Sequence, residues 1–161
     1  ALVLIETSPM VMEEKGWKGT LLRGEYTKEQ FIKDLRVMEL DWMSFAESFV
    51  REMSPKLDEN SLKLAIERVS GNRPEVMSSV WESLMSKDYR SILPSIELPT
   101  MVINGSDSTF YDPDSGKDIA SILGNGEYKI IKDAGHLVVM EKPAELSRLI
   151  SEFINNKIHI S

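Results

Sequence analysis

His136 is the residue of this sequence best suited to acid–base chemistry. An imidazole titrates near neutral pH, and a catalytic one must sit on a loop that can reach its reaction partner. Asp133-Ala134-Gly135-His136 is such a loop, between a short apolar strand and a helix that begins at Pro143. The glycine before the histidine permits close packing or unusual backbone angles. The sequence therefore predicts a catalytic role for His136, whereas His159 lies in a terminal tail and is predicted to be inert.

Glu6 is a carboxylate that could partner this imidazole. It directly follows an apolar run, Leu2 to Ile5. A carboxylate at the mouth of an apolar strand needs a partner to offset its desolvation, and His136 would supply one to Glu6. The alternative for Glu6 is an ordinary solvated glutamate at the end of a strand.

The composition limits the other kinds of site. The net charge of −7 argues against nucleic acid and anionic membranes as main partners. There is no cysteine and there are only two histidines, so we predict no thiolate or histidine-rich metal site and no cofactor. No apolar run approaches the roughly 20 residues that span a bilayer, and we predict a cytoplasmic location.

The pattern of elements is typical of an α/β protein with a separate helical insertion. The short, uniformly apolar run at the N-terminus predicts a strand buried on both faces, as in a parallel sheet. Strand, helix, strand, loop and helix follow in the last third of the chain, which predicts parallel β-α units. The predicted elements are a strand at 2–5, a helical block at 10–91, strands at 99–105 and 128–131, a helix that Asp112 and Pro113 open, and a helix from Pro143 to about Asn155.

Within the helical block, one helix is predicted to be long. Thr27-Lys28-Glu29-Gln30 has the form of a capping box. Apolar residues then recur at alternating steps of four and three, forming one stripe about five turns long. Core packing is the main interpretation of the stripe, and lining of a substrate pocket is the alternative for some of its side chains. Its members are Phe31, Leu35, Met38, Trp42, Phe45 and Phe49.

The order of these elements and the residues within them resemble the α/β-hydrolase superfamily. The apolar run at 2–5 resembles the sixth strand of the family, and the helical block resembles its cap. Pro99 to Gly105 resembles the seventh strand with its P-x-x-V-I-x-G ending, and Tyr128 to Ile131 resembles the eighth. Gly135-His136 with Glu141-Lys142-Pro143 resembles the G-H-x4-E-x-P signature. The resemblance implies the C-terminal part of that fold plus an all-helical cap. The implied segments are residues 1–9 in the core, 10–91 in the cap and 92–161 in the C-terminal core.

The resemblance also bears on the acid. The family's usual acid stands in a G-x-x-D arrangement after the seventh strand, and counting from Gly105 this position is occupied by Ser108. Asp107 arrives one position early, and a slip of one residue along extended chain reverses the side-chain direction. Some members, including part of the haloalkane dehalogenase family, carry the acid after the sixth strand, where Glu6 stands. We favour Glu6 and keep Asp107 as the alternative.

The family's nucleophile elbow, G-x-S-x-G, does not occur here, because no two of the nine glycines are four residues apart. In the family the elbow follows the fifth strand, upstream of the sixth. We therefore expect the nucleophile and the oxyanion-hole donors on an N-terminal half that this chain lacks, in the same or a separate chain. This chain alone is expected to be inactive, with an unpaired apolar strand edge.

The resemblance implies an enzyme that hydrolyses a small ester or acyl substrate through a nucleophile, His136 and an acid. An aspartate as the nucleophile would imply dehalogenation instead. A non-catalytic ligand-binding protein of this fold is a further alternative, which the serine at position 108 supports. A purely structural or interaction domain is the remaining one.

Overall fold

A three-stranded parallel sheet forms the core of the protein. The computed structural model describes residues 1–12 and 16–157. Strands β1 (Leu2–Ile5), β2 (Thr100–Gly105) and β3 (Gly126–Ile131) lie in the order β1-β2-β3. Leu2 pairs with Thr100, and Thr100 pairs with Gly126, so that all three strands end at the same edge of the sheet. The predicted α/β class and the parallel arrangement are confirmed.

The burial of β1 differs from the prediction. All residues of β2 are buried, whereas all four residues of β1 are only half-buried. Within the described part of the chain β1 pairs with β2 alone, so its other edge is open. The uniform hydrophobicity of β1 is typical of a strand with neighbours on both sides and cover on both faces.

Helices cover both faces of the sheet. Side chains alternate along a strand, so Val102 packs towards helix α5 (Ser115–Ile122) while Met101 and Ile103 pack towards helix α7 (Pro143–Lys157). The short helix α6 (Val138–Glu141) precedes α7. The predicted N-cap of α5, Asp112, lies two residues too early. Asp114 is the N-cap, and the carboxylate of Asp112 accepts a hydrogen bond from the Asp114 amide at 2.9 Å.

A block of helices lies between β1 and β2 in the chain. Its apolar core includes Phe110 and Tyr111, which follow β2, so the block packs against the end of the sheet. The proposed division of the chain at residues 9 and 91 stays a prediction. The elements of the block are 3-10 helices at Leu21–Gly24 and Arg90–Ser95 and helices α1 (Lys28–Leu40), α2 (Trp42–Met53), α3 (Glu59–Ser70) and α4 (Pro74–Met85).

The prediction of one five-turn helix is wrong, because the helix is interrupted at Asp41, between α1 and α2. This residue leaves the helical region (φ −149°, ψ 72°), and its carboxylate accepts a hydrogen bond from the Ser44 amide, which starts α2. An aspartate at this position satisfies a free amide that the helix would otherwise leave unbonded. The apolar spacing continues across the break, since Met38 and Trp42 share one buried cluster.

Thr27 caps α1 as predicted, with its hydroxyl accepting from the Gln30 amide at 3.2 Å. The Gln30 side chain does not complete the box, because it donates to Asp34 at 2.7 Å. No helix in the described ranges is long and apolar enough to cross a membrane.

Candidate active site

Three loops meet where the parallel strands end. Glu6 follows β1, Ser106 to Ser108 follow β2, and Asp133 to Leu137 follow β3. The carboxyl ends of neighbouring parallel strands are where open α/β sheets bind their ligands. Gly105 permits the loops to approach, because a Cβ added there would collide with the carbonyl oxygens of Ala134 and Gly135.

Glu6 is a buried carboxylate with three partners. Its side chain is 3% exposed. Oε1 accepts a hydrogen bond from the Gly105 amide at 2.7 Å, and Oε2 accepts one from the Ser108 hydroxyl at 2.7 Å. Oε2 also lies 2.9 Å from Nδ1 of His136. Glu6 has a φ of 44°, a left-handed conformation that side chains other than glycine rarely adopt. Such a conformation at a strand end is typical of functional sites.

The His136 ring is held on several sides. It stacks on Phe110, with the ring centroids 4.7 Å apart and the planes at 22°, and Tyr111 lies at 5.8 Å. Its Nδ1 faces Glu6, and no hydrogen bond joins Nε2 to any group in the described ranges. The side chain is 18% exposed. With the proton on Nδ1 donated to the carboxylate, Nε2 is the nitrogen that can accept a proton.

The His136 loop is fastened to the end of α2. The Gly135 amide donates to Oε2 of Glu141 at 2.7 Å, and Oε1 of Glu141 accepts from the Ser54 hydroxyl at 2.6 Å. Ser54 Oγ in turn accepts from the Leu137 amide at 3.1 Å. The amide of His136 itself donates to the Met53 carbonyl at 3.3 Å. The residues on both sides of the histidine are therefore tied to the helical block through one hydroxyl.

Sequence reasoning missed the part that Ser54 takes in this arrangement. Ser54 is the C-cap of α2 and stands directly before Pro55. Glu141 is identified from the sequence only as the glutamate of the G-H-x4-E-x-P signature. A serine just before a proline is too common to signal a site, so the sequence offered no indication of this contact.

Asp107 points to a different neighbour. Its carboxylate pairs with the ammonium group of Lys56 and accepts a hydrogen bond from the Ser106 hydroxyl at 2.8 Å. The Lys56 ammonium, followed by the Ser106 hydroxyl, holds the pKa of Asp107 below its usual value. The structure thus brings Glu6 and His136 together and does not bring Asp107 to His136. The offset of one residue is the reason, because Ser108 turns inward to Glu6 and Asp107 turns outward.

Tyr111 adjoins the same pair. Its amide donates to Ser108 Oγ at 3.4 Å, and its ring is 5% exposed. Burial, and then the negative charge of Glu6, raise the pKa of the Tyr111 phenol well above its usual value. Tyr111 therefore stays protonated wherever imidazole chemistry operates.

A cavity of about 560 Å³ lies between the helical block and Phe110. Two members of the predicted apolar stripe, Phe45 and Phe49, line it, whereas Met38 and Trp42 are buried in the core of the block. Core packing is therefore the role of Met38 and Trp42, and the lining of a substrate pocket by Phe45 and Phe49 stays a prediction. The aromatic residues lining the cavity are Tyr26, Phe45, Phe49, Trp81 and Phe110.

In the described ranges, no group of three histidine, aspartate or glutamate side chains is placed so that it could hold a metal ion. His159, predicted to be inert, lies outside the described residues.

No protein-family model matches the chain. Among curated proteins, it is 29% identical to a 2-hydroxy-6-oxononadienedioate/2-hydroxy-6-oxononatrienedioate hydrolase of a Pseudomonas species, over 92% of this chain and 49% of that protein. It is 22% identical to 3-oxoadipate enol-lactonase 1 of Acinetobacter baylyi, over 97% and 55%. It is 23% identical to a homoserine O-acetyltransferase of Trichormus variabilis, over 89% and 44%. The chain thus spans about half the length of these relatives.

Solved structures show the same fold. A hydrolase from Oleispira antarctica matches with a TM-score of 0.85 and 19% identity, over 96% of this chain and 55% of that one. A bromoperoxidase from Bacillus anthracis matches with a TM-score of 0.82 and 15% identity, over 95% and 57%. The parallel sheet, the helices on its two faces and these likenesses agree with the resemblance seen in the sequence. The chain has the fold of the C-terminal part of the α/β-hydrolases, and its likeness to these curated proteins supports membership of that superfamily.

Proposed function

We propose that this chain supplies the histidine and the acid of a hydrolase that acts on a small ester or acyl substrate. The observation that carries the proposal is the pair of His136 and Glu6, with Nδ1 2.9 Å from the buried carboxylate and Nε2 unbonded. A histidine with one nitrogen held by a carboxylate and the other free is the arrangement that activates a nucleophile.

In the proposed reaction Nε2 of His136 takes the proton of a nucleophile as that nucleophile attacks the substrate carbonyl. The imidazolium then returns the proton to the leaving group, and the same cycle with water releases the acyl group. Glu6 holds the imidazole in the required tautomer and stabilises the imidazolium. Asp107, engaged with Lys56, has no part in these steps.

The nucleophile comes, in this proposal, from another stretch of polypeptide. The sequence contains no glycine pair with the elbow spacing. The open edge of β1 supports the proposal, because a strand carrying the elbow could pair there and end beside His136. Two of the relatives described above, the 2-hydroxy-6-oxononadienedioate/2-hydroxy-6-oxononatrienedioate hydrolase and the enol-lactonase, support hydrolysis as the reaction class.

We expect His136→Ala in the intact protein to lower the turnover of 4-nitrophenyl acetate by about three orders of magnitude or more, because the nucleophile loses its base. The midpoint of urea unfolding should change little, since the ring is partly exposed and its loop is held through Gly135 and Leu137. His159→Ala is the matched control and should keep full activity. A loss of less than about tenfold for His136→Ala contradicts the proposed role.

Dehalogenation is the second candidate, because the carboxylate that meets His136 follows β1 rather than β2. The sequence resembles part of the haloalkane dehalogenase family at this point. Bromide release from 1-bromobutane, without hydrolysis of 4-nitrophenyl acetate, would favour this candidate. An aspartate at the centre of the elbow in the polypeptide that pairs with β1 would agree with that result, and a serine there would favour the esterase.

A further inference from the structure

The cavity beside the active site, hereafter the aromatic cavity, has the dimensions of a small-molecule site. Its volume of about 560 Å³ lies within the range of roughly 300–1,000 Å³ that ligand pockets occupy. Phe110 belongs to both places, since it forms one wall of the cavity and stacks on the His136 ring. A molecule in the cavity is therefore separated from the proposed base by one ring.

The aromatic rings that line the cavity pack against one another in its wall. Phe49 meets Trp81 edge to face at 5.5 Å and 89°, and meets Phe110 in the same way at 5.4 Å and 84°. Phe45 stacks parallel to Phe49 at 5.7 Å. The faces of aromatic rings carry partial negative charge. A cavity wall made of several aromatic rings is the kind of surface that binds substituted ammonium ions.

The charged residues of the cavity have one sign. Glu25, Asp34 and Glu52 line it, and its described lining contains no lysine, arginine or histidine. Each oxygen of Asp34 already accepts a hydrogen bond, from the Tyr26 hydroxyl at 2.6 Å and from Gln30 Nε2 at 2.7 Å. Asp34 therefore offers a ligand its negative charge rather than a vacant hydrogen-bond acceptor. This favours a cation over a polyol as the molecule bound in the cavity.

Neighbouring cations are engaged elsewhere. The guanidinium group of Arg23 donates to the Ser108 carbonyl at 2.5 Å. Lys56 pairs with Asp107, and Arg51 pairs with Glu47 at 2.9 Å. These three groups therefore have partners other than the carboxylates of the cavity.

We infer that the aromatic cavity binds an organic ammonium group, and that the substrate of the adjacent site is an ester or other acyl compound that carries one. Only the statement about the substrate rests on the proposed function; the binding of an ammonium group in the cavity does not. In this arrangement the ammonium group lies in the cavity beside Phe49, Trp81 and Phe110, in the field of the three carboxylates, and the acyl group extends past Phe110 towards His136.

The test compares choline with 3,3-dimethylbutan-1-ol, which has the same shape without the charge. Both are titrated into the intact protein, and the Kd is followed through the NMR signal of the Trp81 indole N–H, which donates to Tyr26 at 3.0 Å. We expect choline to bind at least about tenfold more tightly. Glu52→Gln and Asp34→Asn should each weaken choline binding by about threefold or more and leave the alcohol unaffected.

Glu67→Gln is the matched control, because Glu67 is exposed on α3 and does not line the cavity. Equal Kd values for choline and the alcohol overturn the inference, as does a tighter Kd for glycerol than for choline. An effect of Glu67→Gln equal to that of Glu52→Gln also overturns it. Glu52 makes no side-chain hydrogen bond within the described ranges, so its variant keeps the test valid if Asp34→Asn fails to fold.

Kinetics separate this inference from the proposed function. Acetylcholine and 3,3-dimethylbutyl acetate are compared by kcat/KM, and we expect a preference of about tenfold for acetylcholine. If neither ester is hydrolysed while choline still binds more tightly, the proposed function fails and the cation site stands. If both esters are hydrolysed equally and both alcohols bind equally, the cation site fails and the proposed function stands.

Discussion

Glu6 and His136 lie 130 residues apart in the chain and meet because β1 and β3 flank β2 in a parallel sheet. Each stands just beyond the carboxyl end of its strand, so neither needs a long excursion to reach the other. Ser108, which occupies the family's usual acid position, donates its hydroxyl to Glu6 instead. The carboxylate beside His136 therefore follows β1 rather than β2.

The choice of acid can be tested in single residues. In the intact protein, Glu6→Gln should lower kcat/KM for 4-nitrophenyl acetate to near the level of His136→Ala, because an amide cannot stabilise the imidazolium or enforce its tautomer. Asp107→Asn should stay within about threefold of the parent, because its carboxylate faces Lys56. The reverse order of the two defects would assign the role to Asp107.

Tyr128 makes the stability sensitive to alkaline pH. Burial, followed by the charges of Asp114, Glu6 and Asp112, raises the pKa of Tyr128 to about 12, and its hydroxyl donates to the Pro113 carbonyl at 2.6 Å. An unfolded phenol ionises near pH 10. The contribution of Tyr128 is therefore complete below about pH 10 and is lost as the pH rises towards 12.

Tyr128→Phe should consequently flatten the fall of the unfolding free energy between pH 10 and 12. The measurement is urea unfolding at several pH values, with the parent protein as the reference. Parallel curves for the two proteins would show that Tyr128 ionises equally in the folded and unfolded states.

At the scale of elements, the end of α2 and the loop after β3 behave as one unit. Ser54 joins them, since its hydroxyl donates to Glu141 and accepts from the Leu137 amide. Ser54 is 1% exposed, and removal of its hydroxyl would leave the half-buried Glu141 carboxylate and Leu137 amide without this partner. A shift of α2 would therefore be transmitted to the loop that carries His136.

Ser54→Ala tests this coupling. We expect the unfolding free energy to fall by about 1.5–3 kcal/mol, the range for a hydrogen bond to a charged group. We also expect kcat to fall by about tenfold with little change in KM, because the histidine is less well positioned while the substrate contacts remain. Ser79→Ala is the control, since that exposed hydroxyl donates only to the Glu75 carbonyl of its own helix. Equal losses of kcat in both variants would argue against positioning.

For the whole molecule, the open edge of β1 is the main consequence of the topology. Four apolar residues are half-buried along it, and their outer backbone groups have no strand partner in the described part of the chain. The chain also covers only about half of each relative that it matches along most of its length. An exposed apolar strand edge is a site for pairing with another chain.

We therefore expect residues 1–161, expressed alone, to self-associate, with a sedimentation coefficient that rises with protein concentration. Addition of the polypeptide that carries the nucleophile should restore a defined species, because its strand would cover the edge of β1. A soluble monomer that unfolds cooperatively without that addition would contradict this prediction and the proposed pairing.

The sequence by itself determined the three strands, the starts of α1 and α7, the α/β class and the position of His136 on its loop, because periodicity, caps and turn residues act over a few neighbours. The break at Asp41 was also local, signalled by an aspartate three residues before Ser44, but the continuous apolar spacing concealed it. Only the tertiary structure decided which carboxylate meets His136 and that Ser54 holds its loop. Those contacts depend on how strands and helices far apart in the chain pack together, and the direction of Ser108 and Asp107 in one turn follows from that packing.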